Sequence, residues 1–270
     1  MRNSNPTLDI GKTGIILAAV PWNRITSSLS VDYQYDEKTA TAVSYGYGRD
    51  YYANPMYVDD ISHDVNAGFV SDLGEYFPSV KAKMNAGYSK YSFPGSRIDN
   101  VIGDVGFSWG FNETVSVLVD GGIRRTWSEM SAARLKSGGW GWVGKVSLNY
   151  NGERGNGELV YTRDVAPAYG FNGAAESDAL TLSVQNMFTN ELSSFFTAGY
   201  NALKSVSKFS TKAINKHIFR VNPGVRYEFS KDMAAEASYE YTMVDYRELV
   251  TEANRHIFSL RLYIQHSFLE

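Results

Sequence analysis

The last stretch of the chain, Ile257 to Phe268, reads IFSLRLYIQHSF, and its side chains change character with a period of two. Phe258, Leu260, Leu262, Ile264, His266 and Phe268 fall on one face of an extended backbone, and Ser259, Arg261, Tyr263, Gln265 and Ser267 on the other. Successive strand residues point to opposite sides, so this segment must face oil on one side and water on the other. The oil is either the core of a soluble sheet or the hydrocarbon of a membrane. The rest of the chain decides between them.

From Ile25 onward the same unit recurs: an alternating segment of about 10 to 14 residues, then a turn. Leu29, Val31, Tyr33 and Tyr35 oppose Ser28, Ser30, Asp32 and Gln34, and after Asp36-Glu37-Lys38 the pattern restarts with Thr41, Val43, Tyr45 and Tyr47. Further segments centre on Val65, Met84, Val105, Val119, Val146, Leu159, Leu182, Ala198, Val225 and Ala237, which with the terminal strand makes 13. A weaker pattern near Thr7 to Leu17, broken by Lys12, supplies a fourteenth. An even count returns both termini to one rim, so 14 strands are expected, with 12 or 16 as alternatives.

The polar row separates lipid from core. Lys81 and Lys83 alternate with Val80, Ala82 and Met84, and two ammonium groups on one face of a strand do not sit in a dry core. Asp32, Asp64, Asp104, Asp120, Arg124, Lys145, Glu158, Arg220, Arg226, Glu228, Glu236, Glu240 and Arg261 continue that row from strand to strand. All are expected to line a water-filled lumen. Glu236 and Glu240 lie between strands carrying Arg220 and Arg226 on one side and Arg261 on the other, which predicts cross-strand ion pairs. Arg261 should oppose Glu236 or Glu240. Gly46, Gly48, Gly68, Gly87, Gly106, Gly110, Gly122, Gly199 and Gly224 share the row and are expected to leave room for a narrow channel.

Connections alternate between tight turns (36–38, 73–75, 112–113, 151–153, 189–191, 230–232) and longer stretches (50–60, 92–98, 128–138, 165–176, 203–213, 245–254). Phe111, Tyr150, Phe188, Phe229 and Phe268 lie beside the tight turns, and Trp127, Trp140 and Tyr200 toward the other ends. Aromatic girdles bounding an apolar belt are the mark of an all-β, transmembrane antiparallel up-and-down β-barrel, here expected as one domain over residues 1–270. None of the longer stretches is long enough to predict a plug.

Composition excludes several functions. The longest apolar run, Gly14 to Val20, is far short of the roughly 20 residues of a membrane helix. A net charge of -3 gives nucleic acid no attraction. Cysteine is absent, which removes disulfides, thiolate metal sites and thiol nucleophiles and suits an oxidising compartment. Only His63, His217, His256 and His266 are present, in no metal-ligand spacing and with no Ser-His or His-Asp pairing of a barrel hydrolase. Gly11-Lys12-Thr13 lacks the upstream glycine of a phosphate loop. No catalytic residue, cofactor or metal is therefore expected. MRNSNPTLD has no apolar signal segment, and Leu269-Glu270 reads as a pair left by cloning, so a signal is expected to have been removed.

The last two strands, ASYEYTMVDYRE and NRHIFSLRLYIQHSF, resemble the ending of β-barrel porins found with exopolysaccharide export systems, through Tyr239, Tyr241, Asp245, Tyr246, Arg247 and Phe268. Leu262, Ile264, His266 and Phe268 are similar to the signal read by the barrel-assembly machinery, with His266 in place of the usual apolar residue. The resemblance implies a Gram-negative outer membrane, passage of an envelope polysaccharide or other hydrophilic solute, and periplasmic export partners. Two other readings remain: a non-conducting barrel that anchors or assembles a larger envelope complex, and a loop-borne outer-membrane hydrolase.

Overall fold

The computed structural model describes residues 2–3, 22–53, 58–130, 135–167, 174–205, 215–247 and 251–264. They form one antiparallel sheet in strict chain order: β1(Arg2–Asn3), β2(Trp22–Gln34), β3(Thr39–Tyr52), β4(Asp60–Asp72), β5(Val80–Phe93), β6(Ser96–Gly110), β7(Val115–Met130), β8(Leu135–Asn151), β9(Gly155–Pro167), β10(Ala174–Met187), β11(Leu192–Ser205), β12(Asn215–Ser230), β13(Met233–Tyr246) and β14(Thr251–Ile264). The 13 long strands β2 to β14 coincide one for one with the 13 alternating segments. No ladder joins β14 to β2 among the described residues. The expected strand at Thr7 to Leu17, its pairing with the last strand, and His266 and Phe268 lie outside the described residues.

Strands of 13 to 17 residues are longer than expected. At a rise of ~3.3 Å and a tilt of ~40° they stand about 32 to 43 Å tall, above an apolar band of roughly 25 Å. The extra length comes from the connections. Residues 92–98 are not a long stretch: Phe93 pairs with Ser96 across Pro94-Gly95, where Gly95 takes a φ of 81° that the second central position of a tight turn requires. Met130 likewise pairs with Leu135. On the other rim, the Lys38 amide donates to Asp36 at 2.8 Å, which holds that carboxyl below its usual range.

The polarity of the sheet is inverted relative to a soluble protein. Leu260 and Phe258 are 83 % and 81 % exposed, while Arg124 and Thr242 are 2 % and 0 % exposed. Val105, Ile123, Val146, Leu148, Leu180 and Val225 continue the exposed apolar row around the outside. Ring pairs mark the edges of the belt: Trp109 with Phe111 and Tyr227 with Phe229 at one rim. Toward the other rim His63 meets Tyr45, His217 meets Tyr200, and His256 meets Tyr239, each tyrosine hydroxyl sharing a hydrogen bond with Nδ1.

Val146 lies five residues from the end of β8 and is half exposed on the outer row. Val146→Arg is expected to destabilise the folded protein in a bilayer by about 2–4 kcal/mol. Its inner-row neighbour Lys145 already carries a charge, so Lys145→Arg should change stability by less than ~1 kcal/mol. Urea titration of vesicle-inserted protein checks both.

Candidate functional site

The inner row is held by charge pairs that span more than one strand, and glycine makes this possible. Lys83 of β5 opposes Gly106 of β6, which opposes Asp120 of β7, and the Lys83 ammonium reaches Asp120 at 2.7 Å across the bare glycine. A Cβ at Gly106 would lie 2.0 Å from Asp120 Oδ1. Lys145 follows opposite Asp120, and Asn85 donates to Asp104 at 2.7 Å. Further on, Phe195 lies against Gly224, directly opposite, with ring carbons 2.1 to 2.6 Å from where a Cβ would stand. The inner glycines that were expected to widen the lumen here accept a neighbour's side chain instead.

A second network occupies β12 to β14. Glu240 takes Arg220 on one oxygen and Arg255 on the other, the latter at 2.7 Å, with the fully buried Thr242 hydroxyl 3.4 Å away. Arg261 opposes Glu236, not Glu240, and meets it at 3.4 Å; Arg226 also opposes Glu236 and pairs with Glu228 at 3.2 Å. Asp32 and Lys81 are exposed, Asp64 packs under Gly46, and the Ser147 hydroxyl lies 3.5 Å from Glu158. Sequence reasoning stopped its segments too early to include Arg24, Asp50, Asp60 and Arg255. Arg24 grips Asp50 with two bonds of 2.6 Å, and Asp60 stands directly opposite Asp50. Extending the same period up to four residues outward would have found them.

The β8–β9 ladder ends at Gly144 and Arg163 although both strands continue. Beyond that point Val165, on the outer row with Leu159 and Tyr161, is buried among Tyr91, Phe93 and Ile98, which belong to the inner rows of β5 and β6. Ala175, on the inner row of β10, packs on Leu203, Ile218 and Val244 from the inner rows of β11, β12 and β13. The Val165 contact turns the described end of β9 inward toward β5 and β6 like a door, while β10 stays laddered to β11 as far as Ala175 and Ser205. A latch fixes it: Arg124 of β7 extends over Gly141 to Glu176 of β10, which also takes Arg163 at 3.2 Å. Arg163 is seated at the hinge by Asp178 at 3.1 Å and by the Trp142 ring 4.4 Å from its guanidinium carbon. Below the door a cavity of about 330 Å³ is lined by Asp104, Asp120, Lys145 and Asp164 together with Ile102 and Val143. The inward turn is made by strand residues of β9, not by a long connecting loop of the kind the sequence lacks.

With this geometry in view, comparisons were made with known proteins. No family model and no curated protein matches the sequence. Among solved structures, the alcaligin outer membrane receptor FauA from Bordetella pertussis superposes with a TM-score of 0.56 at 12 % identity, over 93 % of this chain and 52 % of that one. Copper transporter OprC gives a TM-score of 0.49 at 10 % identity over 90 % of this chain and 57 % of its own. The chain thus spans about half the length of these structures. Sheet order, inverted polarity and the FauA likeness define the class of fold: the chain has the fold of an outer-membrane β-barrel. No particular relative goes further than that.

Glu240 is only 11 % exposed between its two arginines, whereas Arg261 is 62 % exposed. Glu240→Gln strands two half-buried cations and is expected to destabilise by about 3–5 kcal/mol, against under ~1 kcal/mol for Arg261→Ala. Denaturant unfolding of the two variants in the same micelle measures the difference.

Proposed function

We propose that this protein is an outer-membrane channel for hydrophilic solutes that rests in a closed state, with the β9–β10 hairpin as its gate. The observation that carries the reading is the charged inner wall continuing beneath the door into a cavity that four ionisable side chains, Asp104, Asp120, Lys145 and Asp164, help to line. A barrel meant only to be filled would have no use for water-seeking groups such as Lys145, Asp104 and Asp164 around an open space. The C-terminal resemblance supports an envelope polysaccharide as the solute, with periplasmic export partners delivering it. An enzyme is not proposed: His63, His217 and His256 are all engaged by tyrosine hydroxyls on the outer face.

The apolar packing on both sides of the door favours a second reading, a non-conducting barrel that anchors or assembles a larger complex. Single-channel recording separates them. Arg124→Met with Glu176→Gln removes the latch without stranding a charge. The channel reading expects rare, brief openings in the native protein and at least a tenfold higher open probability in the double variant. A folded double variant that stays silent, together with one lacking residues 165–176 that stays silent, would leave the anchor.

In the unlatched background, Lys81→Glu with Lys83→Glu is expected to move the reversal potential toward cations. An unchanged potential would place those side chains off the conduction path.

A further inference from the structure

The outer face of β5 to β8 departs from the rest of the exterior. Val115, at the end of β7 beside the tight turn, begins the apolar belt, and Arg125 stands ten residues further along the strand. At ~2.5 Å of height per tilted residue this is about 25 Å, the full height of the belt. Arg125 therefore sits where hydrocarbon gives way to the headgroups of the external leaflet. Ile123, its outer-row neighbour below, is 63 % exposed and belongs to the belt.

At that level the strands form a groove of about 470 Å³. Trp127 and Trp140 line it, and the Trp127 ring lies over Gly138, directly opposite, 3.4 Å from where a Cβ would stand. The Arg125 guanidinium carbon lies 4.9 Å from one indole and 5.2 Å from the other. Two indoles thus flank one guanidinium, and cation–π attraction to both holds it in place. The neighbouring charges are already matched: Arg97 with Asp99 at 2.7 Å and Lys136 with Glu129 at 3.4 Å. Among the described residues Arg125 has no carboxylate partner. Lys90, opposite Asp99, adds a further cation to the same face. The patch is thus locally positive on a chain whose net charge is -3.

We propose that this groove binds the phosphate-bearing headgroup of a phosphorylated glycolipid in the external leaflet, one molecule per barrel. Arg125 donates to the phosphate in a forked geometry, Lys90 supplies longer-range attraction, and the two indoles bracket the sugar–acyl junction. A soluble anion fits less well, because the indoles present apolar ring surface to whatever sits beside the phosphate. This assignment does not depend on whether the barrel conducts.

The test is native mass spectrometry of the folded protein in detergent, titrated with a bis-phosphorylated, acylated diglucosamine lipid and with its phosphate-free counterpart. Heat-modifiable gel mobility verifies that each variant is folded. The native protein is expected to retain one phosphorylated lipid at a concentration at least tenfold below that needed for the phosphate-free lipid. Arg125→Ala should abolish that preference, and Arg125→Lys should keep part of it. Equal retention of the two lipids by the native protein would overturn the proposal, as would an unchanged preference in folded Arg125→Ala. Displacement of the lipid by millimolar inorganic phosphate would also overturn it, by showing a site for free anion.

Discussion

Hydrocarbon offers a backbone amide nothing to bond to, and this one constraint organises the molecule. Each strand across the belt must have both edges paired, which forces a sheet that follows chain order from β2 to β14 with no crossover. Once the sheet curls, one row of side chains is committed to lipid and the other to the interior, and every remaining feature is a way of living with that division. The outer row is mainly apolar through the belt, with small polar residues such as Ser27 and Ser194 among its few exceptions. The inner row carries carboxylates, guanidinium groups and ammonium groups that would be intolerable in a dry core, so they are paired across strands or left facing water.

Pairing across strands has its own steric demand. A lysine can reach an aspartate two strands away only if the side chain between them is missing, as at Gly106, and an arginine can cross to the door only over Gly141. Glycine in this wall is thus a positional device that lets charged side chains lie flat along the sheet. The resulting ties run perpendicular to the strands, along the direction in which a sheet is held only by its ladder bonds. They stiffen the barrel against opening along any one strand pair, except at the one place where the ladder itself stops.

The number and order of long strands were legible in the sequence because alternation is a local signal and the membrane imposes it on every crossing. Strand length was not. Near the outer rim the inner row turns apolar at Tyr91, Phe93 and Ile98, both faces become similar, and the period of two that identifies a strand disappears. Residues 92–98 therefore looked like an irregular stretch although they form a two-residue turn between paired strands. Ion pairs between neighbouring strands, such as Arg220 with Glu240 and Arg261 with Glu236, followed from strand order, but Lys83 with Asp120 and Arg124 with Glu176 skip strands and did not. Nor does parity record the direction in which a strand end bends: Val165 keeps the outer-row register and yet faces inward, because the end of β9 has turned.

That turn leaves a mark on the wall it came from. When β9 turns away at Arg163, the edge of β8 from Leu135 to Val143 keeps its ladder with β7 and has no strand on its other side among the described residues. A run of unpaired amides and carbonyls cannot face hydrocarbon, so this notch must be wetted, which fixes how deeply the barrel can sink into its membrane. The departure of β9 thus acts as a waterline, setting the draught of the protein from one side while the girdle rings set it from the other.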